Sequence, residues 1–196
     1  MKLPSIHAKT PGIRSTFPAA AAALIAAGTV NIAAAVVLSS GAASGDITPD
    51  PKMTNCFTPL PYGSVRDHLY AHALVLSDGS TKVVFLSWDL VDARDYAVAR
   101  VRKAIFSATG IPEDHILVQA THTHSGPKSE MGPEPLSAFE RKFALPAQRD
   151  PLYRGWADRV IETSVAAVRK ADAACAPVVL AIGRANVGEV LFNRRP

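Results

Sequence analysis

The sequence is short of the features that mark several large functional classes. It has two cysteines, Cys56 and Cys175, in 196 residues, so at most one internal disulfide can form and no Cys-rich metal knot can be built. Charged residues make up 19% and aromatics 7%. The 21 basic and 17 acidic side chains leave a net charge of +4, and their signs alternate along the chain. A nucleic-acid partner is therefore not expected, because binders of that kind cluster Lys and Arg on one face with aromatics between them. Zinc-finger spacing, a helix-turn-helix pattern, a glycine-rich phosphate loop and internal repeats are all missing. Apolar residues, by contrast, are plentiful at 48%, enough for one ordinary core and too many for a disordered polyelectrolyte.

The apolar content begins at residues 18–38, which carry no charge and follow a start with Lys2, Lys9 and Arg14 and no acid. As a helix rising ~1.5 Å per residue this run is about 31 Å long, close to a bilayer core. Its positive flank has the sign of a signal peptide or signal anchor. Residues 1–40 are thus expected to be a signal peptide or signal-anchor segment, with the rest secreted, extracytoplasmic or membrane-anchored. An Ala-rich buried helix fits the same run. Small residues at 33–35 and at 40–42 both offer cleavage sites.

Residues 46–67 hold Pro49, Pro51, Pro59, Pro61 and Gly63 and predict irregular chain. Residues 69–76 alternate, with Leu69, Ala71, Ala73 and Val75 on one side, and a Ser77-Asp78-Gly79-Ser80 turn leads into a β-branched and aromatic run over 81–90. Together they predict a hairpin whose second strand, apolar on both faces, is central. Asp92 is expected to cap a helix striped by Val98, Val101 and Ile105 and ended by Gly110 and Pro112. Residues 115–120 suit a strand and run into Thr121-His122-Thr123-His124-Ser125-Gly126-Pro127 and then a long Pro-rich loop. Asp150-Pro151 opens a second helix with Trp156, Val160, Ile161, Val165 and Val168 inward. Residues 177–187 and 189–194 read as a further strand pair. This order predicts an α/β fold, with α+β open, built on one mixed β-sheet with flanking helices.

Residues i and i+2 of a strand face the same way, so His122 and His124 can approach one cation from a rigid element. Neutral imidazole is a favoured zinc ligand, and open α/β sheets place ligands at the carboxyl ends of their strands. A catalytic zinc takes about three protein ligands, and the other histidines, His68, His72 and His115, read as surface or core residues. Asp89 either faces the cleft of the His pair or caps the following turn. Glu130 and Glu134, in the Pro-rich loop, read as solvated. Arg194 can bind carboxylate or carbonyl oxygens in a fork or be part of a solvated end. Spacing alone leaves metal binding and structural use both open.

Five segments, in order, resemble the N-terminal part of the neutral/alkaline non-lysosomal ceramidase family. They are Asp46-Ile47-Thr48-Pro49, the 69–76 strand, Ser87-Trp88-Asp89-Leu90, the Thr-His-Thr-His-Ser-Gly-Pro string, and Phe192-Asn193-Arg194-Arg195. The resemblance spans about residues 41–195, and residues 41–196 are read as the N-terminal part of a ceramidase-like hydrolase domain. It implies a zinc-dependent amidohydrolase that cleaves the N-acyl bond of ceramide, or a related N-acyl lipid, at a membrane surface to give sphingosine and a fatty acid. Carried over by position, His122 matches a zinc ligand, His124 a neighbouring histidine that positions or protonates the reacting groups, and Arg194 an active-site arginine. The family's remaining zinc ligands, and its serine in a Gly-Asp-x-Ser-Pro segment, lie beyond the Asn-Arg segment. The chain is therefore expected to be an incomplete portion of a larger catalytic domain, with little or no activity alone. A metal hydrolase of another amide or ester, and an inactive or membrane-anchored lipid-binding protein, are the competing readings.

Overall fold

The computed structural model describes residues 37–58, 60–131, 149–186 and 188. The expected signal or anchor segment lies outside them up to residue 36, as do Glu134 and Arg194. No helix among the described residues is long and apolar enough to cross a membrane.

Alternation and turn chemistry produce the first three strands, β1 (Ser39–Asp46), β2 (Tyr70–Ser77) and β3 (Lys82–Trp88), paired antiparallel in sequence order. The β2–β3 turn is closed by the Asp78 carboxylate, which accepts from the Ser80 amide at 2.9 Å and the Thr81 amide at 2.7 Å. Helix α1 (Asp95–Thr109) then crosses to β4 (Ile116–Ala120), which lies parallel to β3. Gly110 ends α1 in the left-handed conformation at φ 74°, and its N–H returns to the Phe106 carbonyl. Helix α2 (Pro151–Ala173) starts as expected, with the Asp150 carboxylate accepting from the Leu152 amide and proline at the first helical position. A two-residue strand, β5 (Ala176–Pro177), pairs with β1. The sheet order is β4-β3-β2-β1-β5, the mixed α/β arrangement that the sequence predicts.

Both helices lie on one face of the sheet. Val101 and Ile105 of α1 and Trp156, Val160 and Val168 of α2 join Val75, Val84, Leu86 and Trp88 in one buried core, each fully buried large side chain contributing about 1.5–3 kcal/mol. Two indoles fix the register of α2 on the sheet. Trp88 Nε1 donates to Ser164 Oγ at 2.9 Å, and Trp156 Nε1 donates to the Ile47 carbonyl at 2.7 Å. Leaving either N–H unpaired in this core would cost about 1–3 kcal/mol.

Three expectations need correction. Strand β3 is central, but the helices cover one face of it: Phe85 is 41% exposed on the other, between its cross-strand neighbours Leu74 and Leu117, themselves exposed. Asp92 does not cap α1, whose N-cap is Arg94 with no side-chain cap; its carboxylate is taken up by other donors. Among the described residues of the expected last strand pair, only Pro177, the second residue of β5, lies in a strand. Val178 N still donates to the Leu38 carbonyl, but Val179 and Ile182 are 96% and 87% exposed, since β-propensity without a paired edge makes no ladder. Residues 189–194 lie outside the described residues. Cys56 and Cys175 are both free thiols.

Candidate metal centre

The carboxyl ends of β3 and β4 and the start of β2 lie at the same end of the sheet, because Ala71, Trp88 and Ala120 are in register across the three strands. The Thr-His-Thr-His-Ser-Gly-Pro string leaves β4 there. The strand stops at Ala120, so the two imidazoles do not share a face through the pleat, as the i, i+2 argument supposes. His122 instead adopts the left-handed conformation at φ 62°. A side chain is uncommon there, though His is among the enriched types, and such outliers concentrate at functional sites.

This kink brings the rings together at right angles, with centroids 4.8 Å apart and His122 Nε2 3.3 Å from His124 Nε2. His122 Nδ1 lies 2.6 Å from the Val91 carbonyl oxygen. A carbonyl only accepts, so Nδ1 carries the proton and the neutral ring has its lone pair on Nε2. His124 Nε2–H is then the donor between the rings. Phe57 stacks on His124, with centroids 5.4 Å apart and planes 18° from parallel. Lys128 Nζ lies 5.7 Å from the centre of the Phe57 ring. Both histidines remain solvent-exposed.

The turn after the pair is held tightly. A Cβ on Gly126 would lie 2.9 Å from Leu69 Cδ1 and 3.2 Å from the Asp89 carbonyl, so only glycine lets the chain pass this close to the β3 end. The Val91 amide donates to the Pro127 carbonyl at 3.0 Å. A cavity of about 410 Å³ borders the same turn through Thr123 and Ser125, not through the imidazoles. Its other walls include Thr48, Tyr62, Val65 and Leu69.

Asp89 takes neither role the sequence offers. Its Oδ2 accepts from the Tyr70 amide at 3.0 Å and lies 3.4 Å from His72 Nε2, so it pins the start of β2. His68 Nδ1 donates to Asp46 Oδ2 at 2.6 Å, and His115 Nδ1 donates to the Lys82 carbonyl at 3.0 Å. Glu130 is not solvated: it is 5% exposed and paired with Arg94 Nη2 at 3.1 Å. Sequence reading also misassigns Asp92, whose Oδ1 accepts from the Ser129 amide at 2.8 Å and the Ser129 hydroxyl at 3.0 Å. Tyr153, whose hydroxyl donates to the Lys128 carbonyl at 2.8 Å, is kept protonated by burial and, secondarily, by Glu130 and Asp92.

Among the described residues no group of three or more His, Cys, Asp or Glu side chains is gathered to hold a metal ion. The pair does fit as part of a zinc site. His122 Nε2 carries the lone pair that a zinc ligand needs, and an outer ring N–H fixed by a carbonyl is the usual arrangement behind a ligating histidine.

No protein-family model matches this chain, and no curated protein matches it by sequence. Solved structures match it by fold. A neutral ceramidase from Pseudomonas aeruginosa aligns with a TM-score of 0.56 at 17% identity, over 72% of this chain and 22% of its own. A structure described as ceramidase complexed with C2 aligns with a TM-score of 0.54, at the same identity and coverage. The chain thus spans about a fifth of the length of these proteins, and over that span its mixed sheet and helices have the fold of part of a neutral ceramidase.

Proposed function

We propose that this chain carries part of the active site of a zinc-dependent amidohydrolase that acts on ceramide or a related N-acyl lipid at a membrane surface. The observation that carries the reading is the convergence of His122 and His124 at 3.3 Å with His122 Nδ1 tied back to the Val91 carbonyl. That tie leaves His122 Nε2 as a ready lone pair, and His122 is the metal ligand in this proposal. The ceramidase fold at 17% identity supports the substrate class.

When bound, zinc would supply Lewis-acid polarisation of an amide carbonyl. His124, beside that position, would take the attacking water's proton to become imidazolium and then give a proton to the leaving amine as the C–N bond breaks, as a group within hydrogen-bond reach can do. Phe57, stacked on its ring, keeps the imidazole from turning away. Arg194 is assigned to the substrate's carbonyl or product carboxylate oxygens, which a guanidinium grips in a fork. The cavity beside Thr123 and Ser125 is within the size range of small-ligand pockets and would receive one arm of the lipid. An extracytoplasmic or membrane-anchored location belongs to the same proposal, since it would bring the site to its lipid.

Zinc binding and N-acyl hydrolysis, measured together on the purified chain, test the reading. The expected result is one weakly held zinc, at least a tenfold loss of its affinity in His122→Ala, and any release of fatty acid from short-acyl ceramide lost on chelation. His124→Gln should keep most of the zinc affinity while losing turnover. Hydrolysis indifferent to chelator, or zinc affinity unchanged in His122→Ala, overturns it.

A further inference from the structure

The His122 ring is exposed and sits on a strained backbone, so its orientation rests on its two ring contacts, the 3.3 Å approach of His124 Nε2 and the 2.6 Å hydrogen bond to the Val91 carbonyl, and the second of these fixes the tautomer. The direction of that carbonyl is set by the peptide that joins Val91 to Asp92. On one side of it, the Val91 amide donates to the Pro127 carbonyl at 3.0 Å. On the other, the Asp92 carboxylate gathers three donors: the Ser129 amide at 2.8 Å and hydroxyl at 3.0 Å on Oδ1, and Arg94 Nε at 3.0 Å on Oδ2. Ser129 Oγ in turn accepts from the Arg94 amide at 2.9 Å. Arg94 Nη2 reaches buried Glu130 at 3.1 Å. The segment before α1 is thereby stitched to residues 127–130, the chain that leaves the histidine pair.

We propose that Asp92 is a positioning residue for His122, acting through the Val91 carbonyl to hold the imidazole as its Nδ1–H tautomer with Nε2 turned toward His124. Its use in metal binding rests on the zinc reading above, but the tautomer is fixed by this chain alone. The chemistry requires a carboxylate. Donors arrive at both oxygens, and an amide would put N–H against either Arg94 Nε or the Ser129 donors. Ser129 is fully buried and Glu130 nearly so, so a lost acceptor at residue 92 is not readily replaced by water, and the loop must shift to satisfy its donors. Any such shift moves the adjacent Val91 carbonyl. Asp92 touches no reacting group, and outer partners of this kind typically change metal affinity 10–100-fold when removed.

Nitrogen-15 NMR of the metal-free chain, at a pH where the imidazoles are neutral, reads the tautomer directly, and zinc titration of the same samples reads its consequence. In the native chain His122 should show the Nδ1–H form. Asp92→Asn should shift it to a mixture rich in Nε2–H, leave the His68 and His72 signals in place, and lower zinc affinity about tenfold. Asp150→Ala removes an equally structural carboxylate, the α2 cap that also accepts from the Thr54 amide and hydroxyl. It should lower stability without altering the His122 tautomer. Should Asp92→Asn fail to fold, Ser129→Ala removes one donor and should move the tautomer the same way by less. A folded variant, Asp92→Asn or otherwise Ser129→Ala, in which the His122 tautomer stays native overturns the proposal, even if zinc binds and depends on His122. A chain that binds no zinc but shows the tautomer shift upholds it while the zinc reading fails.

Discussion

Two histidine pairs stand at the same end of the sheet, and one of them has the arrangement that the zinc proposal calls for. His122 and His124 follow β4; His68 precedes β2 and His72 lies within it. The partner on the second nitrogen makes the difference. Behind His122 is a carbonyl, which fixes the proton on Nδ1 and leaves Nε2 to meet another imidazole. His72 has both nitrogens engaged, Nδ1 with Ser44 Oγ at 2.8 Å and Nε2 facing Asp89. His68 gives Nδ1 to Asp46, and its ring neighbour is Tyr70, 6.4 Å away, not a second ligand. Spacing in sequence is thus a weak guide to coordination; what decides is which ring nitrogen keeps a lone pair and what the other nitrogen is tied to.

The largest expected effect comes from exchanging roles between the pairs. His122→Ala should lower zinc affinity by tenfold or more, whereas His72→Ala should leave it within about twofold, because His72 has no nitrogen aimed at the shared point. Competition with a chromophoric chelator measures both. Equal losses in the two variants would erase the distinction between the pairs.

A comparable effect, on stability, is expected from crowding the turn that separates the His pair from the start of β2. Gly126→Ala places a methyl 2.9 Å from Leu69 Cδ1 and 3.2 Å from the Asp89 carbonyl. The leucine can yield but the backbone oxygen yields less, so a loss of about 1–3 kcal/mol is expected from overpacking. Urea denaturation would give the stability change, and zinc titration would show whether the His122–His124 geometry moves with it. Stability and zinc affinity both at native levels would mean that this close approach has no part in holding the pair.

Much of the scaffold around the two pairs is legible in the sequence because it rests on local periodicity and punctuation. The alternation of Ala71, Ala73 and Val75, the α1 stripe of Val101 and Ile105 with Gly110 at its end, and the Asp150-Pro151 helix start each signal their role within a few residues. The site is legible only as a suspicion. His122 and His124 do converge, but through a left-handed residue that no spacing rule reports. Glu130 and Asp92 are misread because their partners are distant in sequence. Arg94 lies 36 positions before Glu130, and Ser129 lies 37 after Asp92, and such pairings leave no local trace. The run after Pro177 fails for the opposite reason: Val178, Val179 and Leu180 have strand propensity, but no strand pairs with them among the described residues.

The mildest test separates the pairs by pH. Partial burial pushes the Asp46 carboxyl up, but hydrogen bonds from Thr48 and His68 together outweigh it, and its pKa is held below the ordinary carboxylate value. A group whose pKa is lower in the folded state contributes stability above its unfolded pKa, near 4, and loses it as pH falls through the folded value. Asp46→Asn removes that contribution. The native chain should therefore lose more stability than Asp46→Asn between about pH 5 and pH 2. Asp46 and His68 are about half-exposed, so solvent screening limits the difference to a few tenths of a kcal/mol, about the value of a surface ion pair. Zinc affinity above the window should be the same in both proteins, since His68 sends no nitrogen toward His122 and His124. A change in zinc affinity on Asp46→Asn would show that the two pairs are coupled through the sheet end, and the carbonyl behind His122 would no longer account by itself for which pair binds.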